Sequence, residues 1–288
     1  MCRLFGLHAG PSDVEATFWL LDAPSSLAHQ SHANPDGFGL ATFCVDGELD
    51  LVRGPVRAAG DEAFAQAARE TRAATFLAHV RYADTGEVSE ANTHPFVLDG
   101  RAFAHNGVVG DHALLRERLG DDLRLVHGET DSELAFAFLT KVIREHGEDL
   151  RAGIVAAVGE LAQRIELYSI NFLLATPDEL WALRYPEKNE LWLLERPAGG
   201  RRGGHHLDEA SAYGTLRMRS LEGASRPFVV IASEPMDEDP GWVPIASGEL
   251  VHVGRDLGVT RELVIADPPR KQMVLSGRAV ESQAQEHR

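Results

Sequence analysis

A cysteine stands directly behind the initiator methionine, in Met1-Cys2-Arg3-Leu4-Phe5-Gly6. Methionine aminopeptidase removes an initiator that precedes a small side chain, and Cys is small. Removal gives Cys2 a free α-amino group beside its own thiol. Such an amine titrates near pH ~7.7–8.0. It can take the thiol proton at neutral pH and hand it later to a leaving amine. Nucleophile and base then lie in one residue. An ordinary start site gives the same dipeptide, so the rest of the chain decides between the two readings.

Three further polar motifs carry chemistry. In His79-Val80-Arg81-Tyr82-Ala83-Asp84-Thr85-Gly86 a charged arginine closes an apolar run. In Ala104-His105-Asn106-Gly107-Val108-Val109 an amide and a glycine close another. The third is Glu129-Thr130-Asp131-Ser132-Glu133. A thiolate that attacks an amide creates a tetrahedral oxyanion, and the Asn106 side-chain amide with the Gly107 backbone N–H are suitable donors to hold it. Arg81 offers a planar fork for a carboxylate. Asp131 offers a carboxylate for an ammonium. A cation and an anion together match an α-amino acid headgroup, so the implied substrate is glutamine or another γ-glutamyl amide. Each residue also has a plainer reading. Arg81 could close an ion pair at a strand end, Asn-Gly is a common turn, and Asp131 suits a helix N-terminus.

The chain has 288 residues, with 44 acidic against 28 basic side chains and a net charge of -16. That surface repels nucleic acid and anionic membranes, so neither is an expected partner. No apolar run approaches the ~18 residues of a membrane span, and no basic segment followed by an apolar stretch marks a secretory signal. The two cysteines, Cys2 and Cys44, leave no room for a disulfide framework and point to a reducing cytoplasm. Cys44 reads as a small apolar strand residue. The pair His205-His206 lies in a glycine-rich stretch without spaced partners and makes a weak ligand set.

Periodicity and turn chemistry place the motifs. A strand is expected at Leu4 to Leu7, a short helix after Pro24-Ser25-Ser26, and turn chemistry over Asn34 to Gly39 feeding a strand through Phe43. A hairpin follows at Asp46-Gly47, and an Ala-rich helix covers Asp61 to Arg72. Strands are expected at Thr75 to Val80 and at Arg101 to His105, the latter ended by Asn106-Gly107. Helices follow over Thr130 to Arg144, with Thr130 as N-cap and Glu133 completing a capping box, and over Leu150 to Arg164. Six strands are then expected between Tyr168 and Ile265. Strands, then helices, then strands argue an α+β fold with antiparallel sheets. Arg196 to Ala212 reads as a surface loop. No linker divides the chain, so one domain is expected over 2–275, with a polar tail over 276–288.

Taken in order, the motifs resemble the class II glutamine amidotransferases, which are N-terminal-nucleophile (Ntn) hydrolases. Met1-Cys2-Arg3-Leu4-Phe5-Gly6 looks like the family's start, and Asn34-Pro35-Asp36-Gly37-Phe38-Gly39 is similar to its proline-aspartate-glycine region, without the family's arginine. Arg81-Tyr82-Ala83, Asn92-Thr93-His94-Pro95-Phe96, His105-Asn106-Gly107 and Thr130-Asp131-Ser132-Glu133 match further family segments. Ser233-Glu234-Pro235 followed by Gly241-Trp242 resembles the compact stand-alone members, the YafJ-like group and the hydrolase of ergothioneine biosynthesis. Asp84 and Thr85 stand where the family commonly has threonine and histidine.

The resemblance implies a four-layer αββα sandwich of two antiparallel sheets, with Cys2 at the end of the first strand in a cleft between them. It implies Cys2, Asn106 and Gly107 as the catalytic set. Arg81, Asp131, Asp84, Thr85 and His94 become substrate-binding residues. No metal or organic cofactor is expected. The expected partners are a glutamine or γ-glutamyl small molecule and an acceptor enzyme that takes ammonia in trans. Two alternatives stay open: a γ-glutamyl amide hydrolase acting on a larger metabolite, and a catalytically silent regulatory or binding subunit.

Overall fold

The fold was analysed in a computed structural model, which describes residues 2–198, 209–210, 217–218, 226–277 and 279–280. The pair His205-His206, most of the glycine-rich stretch and most of the polar tail lie outside these residues.

Two large sheets carry the molecule. The strands of the first are β1 (Arg3–His8), β2 (Gly37–Phe43), β3 (Leu49–Gly54) and β4 (Thr75–Arg81). The second sheet contributes β5 (Phe96–Leu98), β6 (Arg101–Val109), β7 (Glu166–Ala175) and β8 (Leu180–Arg184). The chain then returns to the first with β9 (Trp192–Arg196), β10 (Phe228–Ala232) and β11 (Val243–Pro244), and ends in the second with β12 (Glu249–Val253) and β13 (Val259–Leu263). The first sheet runs β11-β9-β10-β1-β4-β2-β3 and the second β13-β12-β8-β7-β6-β5, all antiparallel. Lys271–Gln272 adds a short parallel piece beside β7.

Alternation along each strand sorts the side chains into three apolar layers. Leu4, Ala41, Leu77, Ala104, Leu173, Ala182 and Ile231 meet between the sheets. The outer face of the first sheet is covered by α1 (Leu27–Gln30), α2 (Glu62–Glu70) and the turn Phe18–Asp22. The outer face of the second is covered by α3 (His112–Leu119), α4 (Asp131–Glu145) and α5 (Leu150–Arg164). This is the αββα sandwich. Local signals start the helices: Ser26, Asp61, Thr130 and Asp149 each accept an N–H bond from the first turn.

One expected boundary is corrected. Asn106-Gly107 does not end its strand, because β6 continues through Val109 and pairs Asn106 with Asn171 and Gly107 with Ile170. Glycine is required there by close packing: a Cβ would overlap the Ser169 carbonyl of the neighbouring strand. The irregularity falls later, between Val108 and Val109.

Candidate active site

β1 is the central strand of the first sheet, flanked by β4 and β10. Cys2 precedes it and is half-buried. Its Sγ donates to the Tyr82 carbonyl at 3.6 Å and accepts from the Tyr82 N–H at 3.4 Å. The thiol therefore sits on the backbone that follows Arg81, where β4 ends. Burial, and then the nearby Asp84 carboxylate, push it up to about 11. The strand behind Cys2 is braced from β10. The Ser233 hydroxyl accepts from the Leu4 N–H at 2.9 Å, the Ser233 N–H donates to the Leu4 carbonyl at 3.1 Å, and Glu234 pairs with Arg3 at 3.4 Å.

Arg81 is buried, and burial lowers its pKa. Its guanidinium donates to the carbonyls of Glu87 at 3.0 Å and Thr85 at 2.8 Å, which folds the loop after β4 back over the strand end. Asp36 holds the start of that loop, accepting from the Ala83 N–H at 2.8 Å. Asn92 holds its far side: it donates to the Glu87 carbonyl at 3.1 Å and accepts from the Glu129 N–H at 2.8 Å. Gly86 has φ 73, and a Cβ there would press on Asn92. Asp84 and Thr85 thus lie in a loop tied at both ends, beside the thiol.

The opposite wall comes from the second sheet. Asp131 opens α4 and is buried. Its carboxylate accepts from the Val109 N–H at 2.8 Å and the Ser132 N–H at 2.9 Å, locking the end of β6 to the helix start. Burial raises its pKa. Thr130 caps the helix as its sequence position implies, at 3.2 Å from the Glu133 N–H. The expected capping box is corrected: Glu133 reaches past the Thr130 N–H and accepts from His127 at 2.8 Å and Gly128 at 2.6 Å.

Asn106 is buried, and its Oδ1 lies 3.4 Å from the Asn189 side-chain amide. Among the described residues nothing accepts from Asn106 Nδ2. A buried donor without an acceptor is uncommon and points to a group that bonds only in a liganded or reacting state. The Arg81 charge acts on the Cys2 thiol and on the Asp36, Asp84 and Asp131 carboxylates, which lie together at this end of the sandwich.

His94 stands further back. Its ring packs on His79 at 4.2 Å and on Phe96 at 4.5 Å between centroids, and neither ring nitrogen of His94 or His79 has a hydrogen-bond partner among the described residues. Gly39 makes room for the segment, since a Cβ there would overlap the His94 carbonyl. His105 bonds the Ser132 hydroxyl at 2.9 Å.

Burial lowers His79 to about 3 and His105 and His8 to about 4, and drops His94 well below its usual value. These rings fold neutral, while the unfolded chain protonates them near pH 6.5. Their stabilisation is complete above pH 6.5 and lost as the pH falls, at up to about 1.4 kcal/mol per ring and pH unit. Asp131 and Asp22, both raised by burial, act in the opposite sense, but they are two groups against four. Melting temperatures measured from pH 8 to 4 are therefore expected to hold level to about pH 6.5 and then fall steeply. A flat profile would show that the four rings are not buried neutral.

The model of the class II glutamine amidotransferases matches residues 1–275 of the chain. The chain belongs to this family. The gamma-glutamyl-hercynylcysteine sulfoxide hydrolase of Mycolicibacterium smegmatis is 30% identical over 263 residues, covering 88% of this chain and 96% of that protein. An uncharacterized protein of Methanocaldococcus jannaschii, MJ1515, is 30% identical over 261 residues, covering 87% of this chain and 68% of its own length. Among solved structures, the glutamine phosphoribosylpyrophosphate amidotransferase of B. subtilis aligns with a TM-score of 0.64 at 16% identity, over 94% of this chain and 51% of that one. At that identity the likeness is one of fold, and it supports the Ntn sandwich.

Within the family frame, three site neighbours show their part only in the fold. Asp36 and Asn92 stand in motifs that resemble the family, but their bonds to the Arg81 loop become visible only in the fold. Asn189 stands in an undistinguished loop, Glu187-Lys188-Asn189-Glu190, and meets Asn106 only after the second sheet has formed. A buried polar side chain in a loop is the signal that would have found it, and burial is not readable from one sequence. No helix among the described residues is long and apolar enough to cross a membrane.

Proposed function

We propose that this class II glutamine amidotransferase hydrolyses the side-chain amide of glutamine through a γ-glutamyl thioester on Cys2. The observation that carries this reading is the Cys2 thiol, seated on the Tyr82 backbone beside Arg81 at the end of the central strand. A thiol pushed up to about 11 is not ionised at neutral pH, so it needs a base. Removal of Met1 supplies one, the α-amine of Cys2 itself.

In this reading the amine takes the thiol proton, directly or through a water, and sulfur attacks the amide carbon. Asn106 Nδ2 and the Gly107 N–H hold the oxyanion. Collapse breaks the C–N bond, and the protonated α-amine returns its proton to the departing ammonia. Water then hydrolyses the thioester to glutamate. Arg81 and Asp131 hold the α-carboxylate and α-ammonium, for which each must release part of its present bonding. Asp84 and Thr85 line the leaving-group side, and His94, packed on His79 and Phe96, stands behind the site without touching substrate. Ammonia passes to an acceptor enzyme in trans.

A second reading, hydrolysis of a larger γ-glutamyl metabolite, is favoured by the match to the M. smegmatis hydrolase over nearly its whole length and by Asp84-Thr85 replacing the family's usual pair. Intact mass before and after 6-diazo-5-oxo-L-norleucine separates the readings. Loss of Met1 with one adduct on Cys2 is expected for a glutamine-shaped pocket. Loss of Met1 without an adduct favours the larger substrate, and retained Met1 favours a silent subunit.

A further inference from the structure

We propose that Asn189 is a positioning residue that sets which end of the Asn106 carboxamide faces the reacting amide; this rests on the oxyanion reading of Asn106. A carboxamide has one accepting and one donating end, and a half-turn of the side chain exchanges them. Only one orientation offers a donor to an oxyanion. Something must choose it before substrate arrives, because a donor that reorients during the reaction gains little.

The choice is made by a set of hydrogen bonds on the inner face of the second sheet, in which Asn106 Nδ2 and Asn189 Oδ1 are the carboxamide ends left without a partner among the described residues. The Ser169 hydroxyl donates to the Asn106 main-chain carbonyl at 3.3 Å. Its proton is thereby committed, and its lone pairs accept from Asn189 Nδ2 at 3.0 Å. That bond fixes Asn189 with its NH2 group inward. The same NH2 lies 3.4 Å from Asn106 Oδ1 and 3.4 Å from the Asn106 carbonyl. An Asn106 side chain turned the other way would set NH2 against NH2. Oδ1 is therefore drawn to Asn189, and Nδ2 becomes the free end.

The backbone of Asn189 is held in place beside Asn106. Its carbonyl accepts from Asn171 Nδ2 at 2.9 Å and from Arg184 Nε at 2.8 Å. Asn171 is the cross-strand partner of Asn106, and its Oδ1 accepts from the Tyr185 N–H at 2.9 Å. Asn189 is fully buried, so water does not compete for these bonds.

The test uses the full chain and two probes, L-glutamine and L-γ-glutamyl-p-nitroanilide. Asn189→Asp replaces the donor with an acceptor of the same shape and draws Asn106 Nδ2 toward itself. Its kcat is expected to fall about 10- to 100-fold, with KM changed by less than about twofold, because the oxyanion exists only in the transition state. In an Asn106→Ala background, Asn189→Asp should cause no further loss of kcat. A framework role would instead add its loss in both backgrounds. If Asn189→Asp does not fold by circular dichroism, Asn189→Ala, which buries no charge, carries the same comparison. Unfolding of both variants would make Asn189 a framework residue and overturn the assignment, as would unchanged kcat in a folded variant. An Asn106→Ala enzyme with unchanged kcat would instead remove the oxyanion reading itself. Failure of the wild-type protein to hydrolyse either probe would remove both.

Discussion

Replacement of Cys2 by alanine is expected to reduce amide hydrolysis to background while leaving the melting temperature close to that of the wild type. The two halves of this expectation come from different links. Loss of turnover follows from chemistry, since no other side chain can form the thioester. Cys44 lies beyond the opposite end of β2, where its thiol donates to the Arg72 carbonyl at 3.5 Å. Retention of the fold follows from packing. Cys2 is half-buried, and among the described residues its side chain bonds only the Tyr82 backbone, through two long sulfur contacts. Weak bonds of this kind contribute no more than about 1 kcal/mol. Steady-state ammonia release and a thermal melt on the same preparation check both halves. Turnover near the wild-type rate would remove Cys2 from the mechanism.

Asn106→Ala should lower kcat by about 10²–10³-fold, the usual consequence of removing one oxyanion donor. The substrate carbonyl carries little charge before attack, so KM should change little. The fold should survive here too. Asn189 Nδ2 loses one long contact but keeps the Ser169 hydroxyl at 3.0 Å, so about 1 kcal/mol of stability is at stake. A variant whose KM rises while kcat holds would show that Asn106 binds the ground state instead.

Much of this architecture can be read along the chain wherever the signal is local. The helix expected over Leu150 to Arg164 forms α5 with those bounds, and the one expected over Thr130 to Arg144 forms α4 one residue later at each end. Thr130 caps α4 as its position implies. The readings that fail are those in which a distant neighbour overrides a local preference. Asn106-Gly107 has the composition of a turn, yet it runs as strand because Ser169, 62 residues later in the chain, demands a glycine beside it. α3 has little amphipathic pattern, since only Leu115 and Leu119 are buried, and it escapes a search by period. The site divides in the same way. Cys2, Arg81, Asn106 and Asp131 stand in motifs, and the structure brings their elements to one end of the sandwich. Their supports, Asp36, Asn92, Asn189 and Ser233, act across sequence separations that no local pattern encodes.

The place of β1 has a further consequence. The first residues of a chain are commonly the part of a domain that frays. Here they are bonded on both sides, in the middle of a seven-stranded sheet. Amides in such a strand exchange with solvent only when the whole molecule opens. The edge strands β3 and β11 can open without disturbing the thiol, whereas the strand behind Cys2 cannot leave without dividing the first sheet. Working residues often sit in the looser parts of a fold; here the thiol sits beside the middle strand of a sheet, bonded on both sides.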